Sequence, residues 1–354
     1  MIRVFVVDDS PFVRKALTKV LQSEPEIRLV GTAASGVEAL ERIPKMEPDV
    51  VTLDVAMQGM DGLKVLRSLL AWRPSLRVIM ISAHTHQGAE ATLDALAMGA
   101  VDFIDKAELD LLDLDAVRRQ LRERVLALRP TVENGVPHAA SVVHAAAGEP
   151  VLDAARYDVC VIGASTGGPA AVQSVLERLS PVFPIPIVIV QHMPPGFTRP
   201  FAERLNRVCR IEVGEAGEGE RLRPGRAVIA PAGYHLRLSR SLVTMLGGEV
   251  SSSRHVPSVD VLMKSANQAR PGRVLGVLLT GMGYDGAEGL SLIQASGGTT
   301  IAESAETCAV FGMPRAALER GAVDYLLPLP EIATALAALG AVRPRPADSR
   351  TSTP

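Results

Sequence analysis

Aromatic residues are scarce. One Trp, four Tyr and seven Phe make 3% of 354 residues, so the cores must rest on Val, Leu, Ile and Ala. Cysteine is scarcer still: Cys160, Cys209 and Cys308 are odd in number and far apart, which argues against a disulfide framework and a Cys-rich zinc site. Reduced, buried thiols are the expectation. No apolar run approaches the roughly 20 residues that a membrane helix needs. Met1-Ile2-Arg3-Val4 enters a strand-like stretch directly, without the basic, apolar and small-residue regions of a signal peptide. A cytoplasmic protein without membrane insertion is therefore expected. An excess of either charge is also lacking: 37 Lys and Arg against 39 Asp and Glu leave a net charge of −2, which gives nucleic acid no electrostatic purchase. What remains, 47% hydrophobic and 21% charged residues, is ordinary globular protein.

The length predicts two domains. Over residues 1–128, short β-branched runs at Arg3 to Val7, Leu29 to Gly31, Val50 to Leu53, Val78 to Ile81 and Val101 to Ile104 alternate with helical stretches. Ser10-Pro11 reads as a helix cap with a first-turn proline, and Asp61-Gly62 opens a periodic helix. Residues 129–155, with Pro130, Asn134-Gly135, Pro137 and Gly148-Glu149-Pro150, read as a linker. Patterning resumes over 156–340, with buried-strand runs at Val159 to Ile162, Ile185 to Val190 and Val274 to Leu279. Residues 341–354, rich in Pro, Arg, Ser and Thr, read as a disordered tail. The expected fold class is α/β: two doubly wound parallel-sheet domains, the first flavodoxin-like and the second a Rossmann-like three-layer domain.

In such sheets ligands gather at the carboxyl ends of strands, so polar residues directly after strands carry the most meaning. In the first domain these are Asp8, Asp9, Asp54, Ser82 and Lys106. Three carboxylates converging in a partly dehydrated site repel one another, and Mg²⁺ is the usual neutralising ion. A phosphoryl group could sit on that metal, with Lys106 matching its charge and the Ser82 hydroxyl bonding an oxygen. Val6-Val7-Asp8-Asp9-Ser10, Asp54 followed by Met60-Asp61-Gly62, Ser82 and Lys106 together resemble the receiver domain of response regulators. The resemblance implies Asp54 as phosphoacceptor, Mg²⁺ held by Asp8, Asp9 and Asp54, and Ser82 with Phe103 as the conformational switch. Ala56 and Gln58 depart from the family's pattern. So does Ala107, which stands where the family has a proline with a cis peptide bond, so a trans bond is expected here.

In the second domain, Val159 to Ile162 runs into Gly163-Ala164-Ser165-Thr166-Gly167-Gly168-Pro169 and then a helix from Ala170 to Leu179. Strand, glycine-rich turn and helix start make an anion-binding amide pocket. Dinucleotide binding fits poorly: Ser165 fills the central glycine position of G-x-G-x-x-G, and the next strand ends in Gln191-His192 where a ribose-binding acid belongs. A nucleophilic serine fits better, with His192 as base at the neighbouring strand end and Asp285 in Thr280-Gly281-Met282-Gly283-Tyr284-Asp285 to orient it. His235 and His255 compete as bases and Asp260 as orienter; all three lie in segments with turn chemistry and rank as substrate-contacting or structural.

Gly163 to Pro169, Val190 to Phe197, Ala230 to Leu236, Pro257 to Leu262, Leu279 to Gly286 and Val310 to Arg315 resemble the chemotaxis protein-glutamate methylesterase family across nearly the whole domain. The resemblance implies Ser165 as nucleophile, His192 as general base and Asp285 as its carboxylate. It places the Met282 region in the oxyanion hole, with Thr166 and Gly167 on the same oxyanion or substrate side. It further implies hydrolysis of glutamate γ-methyl esters and deamidation of glutamines on methyl-accepting chemotaxis receptors, no cofactor for that chemistry, and a histidine kinase as phosphodonor. One departure concerns Ile301-Ala302-Glu303-Ser304, where the family's usual Gln is missing. The alternative reading is a regulatory binding module without chemistry.

Overall fold

The computed structural model describes residues 1–82, 85–107, 113–129, 152–247 and 255–340. The first part carries β1 (Ile2–Val7), α1 (Pro11–Gln22), β2 (Ile27–Ala33), α2 (Gly36–Met46), β3 (Val50–Asp54), α3 (Gly62–Trp72), β4 (Arg77–Ser82), α4 (His86–Met98), β5 (Asp102–Asp105) and α5 (Leu114–Ala127). Its five strands are parallel in the order β2-β1-β3-β4-β5, the flavodoxin-like winding. Every residue of β3 is buried, because helices cover both faces of the sheet. Local chemistry sets the helix starts as read from sequence: the side chains of Ser10 and Asp61 accept from the amides of Val13 and Lys64.

The second part begins with a short helical turn at Ala154–Arg156. It continues through β6 (Val159–Ala164), α6 (Gly168–Glu177), β7 (Ile187–Gln191), α7 (Thr198–Val208), β8 (Glu212–Glu215), β9 (Arg226–Ile229), β10 (His235–Leu238), β11 (Thr244–Gly247), α8 (Val259–Ala269), β12 (Val274–Leu278), α9 (Ala287–Ala295), β13 (Thr299–Glu303), α10 (Met313–Glu319), β14 (Tyr325–Leu327) and α11 (Leu329–Leu339). Seven strands form a parallel sheet ordered β14-β13-β12-β6-β7-β9-β8, while β10 and β11 make a separate antiparallel hairpin. The chain leaves β6 towards β7 on one side and returns as β12 on the other. The tops of β12, β6 and β7 therefore form a topological switch point, where open α/β sheets bind ligands.

Both sheets are as expected, and three details differ or add. The hairpin has no counterpart in the sequence reading, and His235 opens its first strand instead of lying in a turn. Asp260 sits in the first turn of α8. Residues 130–151 of the expected linker and all of the expected tail lie outside the described residues. The Lys106–Ala107 bond is trans, Val256–Pro257 being the cis bond found among the described residues. Among those residues no helix is long and apolar enough to cross a membrane. Cys160 and Cys209 are buried free thiols, as expected, and Cys308 is a half-buried one.

Candidate active site and receiver site

The receiver site is assembled from four strand ends. One ligand atom from each of Asp8, Asp9 and Asp54 lies within 4.8 Å of the others. Lys106 Nζ reaches Asp54 Oδ2 at 2.7 Å and Asp8 Oδ2 at 3.3 Å. The second contact is an ion pair without hydrogen-bond geometry, so the buried Asp8 Oδ2 keeps a free lone pair. Burial raises the pKa of Asp54 to about 6; the Asp8 charge adds to this and the Lys106 hydrogen bond opposes it. Such mutual repulsion is what a hard divalent cation relieves, so the donor set fits one. Ser82 is fully buried, and its hydroxyl donates to the Gly88 carbonyl at 3.2 Å. Phe103 on β5, the register partner of Met80, packs on Phe197 of the second domain with ring centroids 4.5 Å apart.

The second site stands on the switch point. Ala164 and Gln191 are register partners and His192 N donates to the Ala164 carbonyl, so Ser165 and His192 leave adjacent strands side by side. The Gln191 amide group braces them, donating from Nε2 to the carbonyls of Ser165 (2.9 Å) and His192 (3.0 Å). The two carbonyl acceptors fix the amide's orientation. From β12, Thr280 accepts from Ser165 N at 3.0 Å and donates through Oγ1 to the Thr166 carbonyl at 3.0 Å. Gly281 is obligatory there, since a Cβ would lie 2.8 Å from Ser165 Cβ.

Asp285 meets His192 directly, with Oδ2 2.8 Å from Nε2. Its remaining lone pairs are filled by Val259 N (2.8 Å), Asp260 N (3.0 Å) and Ser258 Oγ (2.8 Å), the first turn and cap of α8. Burial, the largest single influence, would raise its pKa, but His192 and the helix-start amides outweigh it and hold the carboxyl well below the usual range. On the other side of the ring, His192 Nδ1 is buried with no hydrogen-bond partner. No hydrogen bond joins Ser165 to His192. The amides of Thr166 and Met282 also have no partner among the described residues.

The side chains of the competing residues do not replace a member of this chain of contacts. His255 stacks on His192, with centroids 4.3 Å apart and planes 14° apart. His235 is fully buried with neither ring nitrogen bonded, and burial lowers its pKa. Asp260 accepts from Gly289 N at 2.7 Å; burial and the Asp285 charge raise its pKa to about 6. Ser258, Gln191 and Thr280 had no role in the sequence reading. Gln191, directly before His192, was the one with a visible signal.

The receiver lies over this edge. Gly167 N donates to the Val101 carbonyl at 2.8 Å, and Thr166 Oγ1 donates to Asp102 Oδ2 at 2.8 Å. Arg204 pairs with Asp94, and Met282 and Val310 join the receiver's apolar cluster. Beside the contact a cavity of about 1200 Å³ opens between α5 and α8, with Arg119, Glu123, Lys264 and Tyr284 in its wall, and it reaches His255 and Asp285. Gly167 has φ +77°, and an added Cβ would lie 2.5 Å from Ala309 Cβ. Gly167→Ala is expected to lower stability by about 1–3 kcal/mol, read by denaturant unfolding of the full chain.

Fold and sites define a response regulator: a receiver domain whose output is a second, enzymatic α/β domain. A family model described as CheB methylesterase matches residues 160–336, and one described as response regulator receiver domain matches 4–116. The chain is 44% identical over 370 residues to a protein-glutamate methylesterase/protein-glutamine glutaminase 1 of Oleidesulfovibrio alaskensis, covering 95% of this chain and 98% of that one. It is 45% identical to a protein-glutamate methylesterase/protein-glutamine glutaminase of Halalkalibacterium halodurans, covering 95% and 97%. Among solved structures, the Thermotoga maritima CheB methylesterase catalytic domain aligns with TM-score 0.50 and 41% identity, over 52% of this chain and 98% of that one. The chain belongs to the CheB methylesterase family, hydrolases that act on esters.

Proposed function

We propose that the chain hydrolyses glutamate γ-methyl esters, and deamidates glutamines, on methyl-accepting chemotaxis receptors, under control of phosphorylation at Asp54. The names of the relatives give the reaction, and the His192–Asp285 contact beside Ser165, with His192 Nδ1 left free, carries the mechanism. In it Ser165 Oγ attacks the ester carbonyl and His192 Nδ1 takes the hydroxyl proton, while Nε2–H stays on Asp285. The oxyanion is received by partnerless amides of the Thr166 and Met282 segments. The imidazolium then protonates departing methanol, or ammonia from a glutamine. Water, deprotonated by His192, attacks the acyl-enzyme and releases glutamate and the serine hydroxyl.

In the receiver, Asp8, Asp9 and Asp54 would hold Mg²⁺, which neutralises the phosphoryl charge when bound. A histidine kinase supplies the phosphoryl group to Asp54, and Lys106 and Ser82 bond its oxygens. Ser82 turning from the Gly88 carbonyl towards the phosphoryl group frees space beside β5, so that Phe103 leaves Phe197 and the Val101 carbonyl leaves Gly167 N. In the resting arrangement that carbonyl holds an amide the substrate would use.

Two measurements test this reading. A serine-reactive phosphonate, small enough for the cavity beside Asp285, is expected to modify Ser165 stoichiometrically and no other serine. Methyl-labelled receptors incubated with the protein are expected to release methanol. A protein that leaves the phosphonate unreacted and releases no methanol is the binding module instead.

A further inference from the structure

The departing segment Ile301 to Ser304 contains Glu303. Glu303 ends β13 and is fully buried. Its Oε2 accepts from Thr280 N at 2.8 Å and its Oε1 from Thr307 Oγ1 at 2.9 Å. Neither donor is charged, and among the described residues no cation acts on the carboxylate. Thr280 is the residue whose carbonyl holds Ser165 N and whose hydroxyl holds the Thr166 carbonyl. One side chain thus anchors the turn that carries both the serine's backbone and the Gly281-Met282 amides.

From this juxtaposition, and resting on the proposed role of Ser165, we infer that Glu303 is a positioning residue of the esterase and that its negative charge restrains the acylation rate. The strand order supplies the sign. Across the sheet top the groups run Glu303 on β13, Thr280 after β12, Ser165 after β6 and His192 after β7. At about 4.8 Å per strand step, Glu303 lies roughly 10 Å from the serine and roughly 14 Å from the histidine. A charge there disfavours the oxyanion more than it favours the imidazolium, and at an effective dielectric of about 20 the difference amounts to roughly twofold in rate. Burial raises the Glu303 pKa above its ordinary 4.5, with the Thr280 amide opposing. The titratable group facing it is Cys308, whose Sγ lies 3.7 Å from the Glu303 carbonyl oxygen. Burial and the neighbouring Glu303 raise that thiol's pKa, so Cys308 stays neutral.

The experiment measures the second-order rate of Ser165 phosphonylation, by mass spectrometry of the Ser165 peptide, in the full chain treated with Mg²⁺ and a small acyl phosphate. Glu303→Gln keeps the shape and an acceptor for Thr280 N. It is expected to react roughly twofold faster than wild type at pH 8, with the ratio falling to one as acid protonates the wild-type carboxyl. Glu303→Ala, which leaves Thr280 N without its acceptor, is expected to react at least roughly tenfold more slowly. A Glu303→Gln rate equal to or below wild type at pH 8 overturns the inference. So does a Glu303→Ala rate within twofold of it. If Glu303→Gln does not fold, Thr307→Val serves: losing one donor raises the Glu303 pKa further, so the variant must outpace wild type in the window between the two pKa values, and equal rates there overturn the inference. Absence of Ser165 labelling in wild type marks failure of the underlying mechanism and removes this inference with it.

Discussion

Asp285→Asn is expected to lower kcat for ester hydrolysis by up to about 10⁴-fold, on the precedent of the serine-protease aspartate. The reason is a count of donors. Asp285 accepts from His192 Nε2 and Val259 N on Oδ2, and from Ser258 Oγ and Asp260 N on Oδ1. An asparagine has one oxygen, so whichever way its amide turns, an NH₂ group faces donors. If it faces His192, the proton is driven to Nδ1, the nitrogen proposed to take the serine's proton. If it faces the α8 start, Ser258 Oγ and an amide lose their acceptor instead. The check is kcat on methyl-labelled receptor, with a melting curve to show that the variant is folded. Activity within a few fold of wild type removes Asp285 from the mechanism. The pH response follows from the same contacts: Asp285 is held below the ordinary carboxylate range, so the stability its ionised form adds is complete above the unfolded pKa of about 3.9 and is lost only in stronger acid.

Asp54→Asn is expected to abolish stimulation by a small phosphodonor while leaving the basal hydrolysis rate in place. The receiver meets the second domain through identifiable contacts: Val101 to Gly167, Asp102 to Thr166, Phe103 on Phe197 and Asp94 with Arg204. Phosphorylation can open them only by binding the open arrangement better than the closed one. A coupling of about 1–3 kcal/mol corresponds to a stimulation of roughly 5–150-fold, the range the assay needs to resolve. Arg204→Glu, which sets two negative charges against each other at the contact, is expected to raise basal activity without phosphodonor. Stimulation that survives in Asp54→Asn overturns the switch. The variant carries a second signature in its stability. Burial beside Asp8 raises the Asp54 pKa to about 6, so ionised Asp54 costs stability above that pH, and the cost fades as pH falls towards 4. Without Mg²⁺, Asp54→Asn is therefore expected to melt above wild type at pH 7.5, with the gap closing near pH 4.

The strands that position both sites were legible because parallel strands covered on both faces are buried throughout and therefore mostly apolar, as Val50–Asp54 and Val159–Ala164 are. Helix starts at Ser10 and Asp61 were legible because a cap acts over three residues. The β10–β11 hairpin was not, since two four-residue strands with exposed or half-buried positions leave too short an alternation to see. The segment Ile301 to Ser304 was visible as a departure, but Glu303 within it was not visible as an anchor, because its partner Thr280 is 23 residues away.

The sequence by itself determined two α/β sheets and the polar residues at their strand ends, because burial pattern and strand-exit chemistry are local properties of the chain. Tertiary structure alone decided that His192 turns Nε2 to Asp285, that His255 stacks on it and that the Asp260 carboxylate takes Gly289 N and not an imidazole. It alone placed the Val101 carbonyl on Gly167 N. These are contacts between residues dozens of positions apart, fixed by strand order and domain docking, and nothing local in the chain encodes which of several nearby imidazoles and carboxylates will meet.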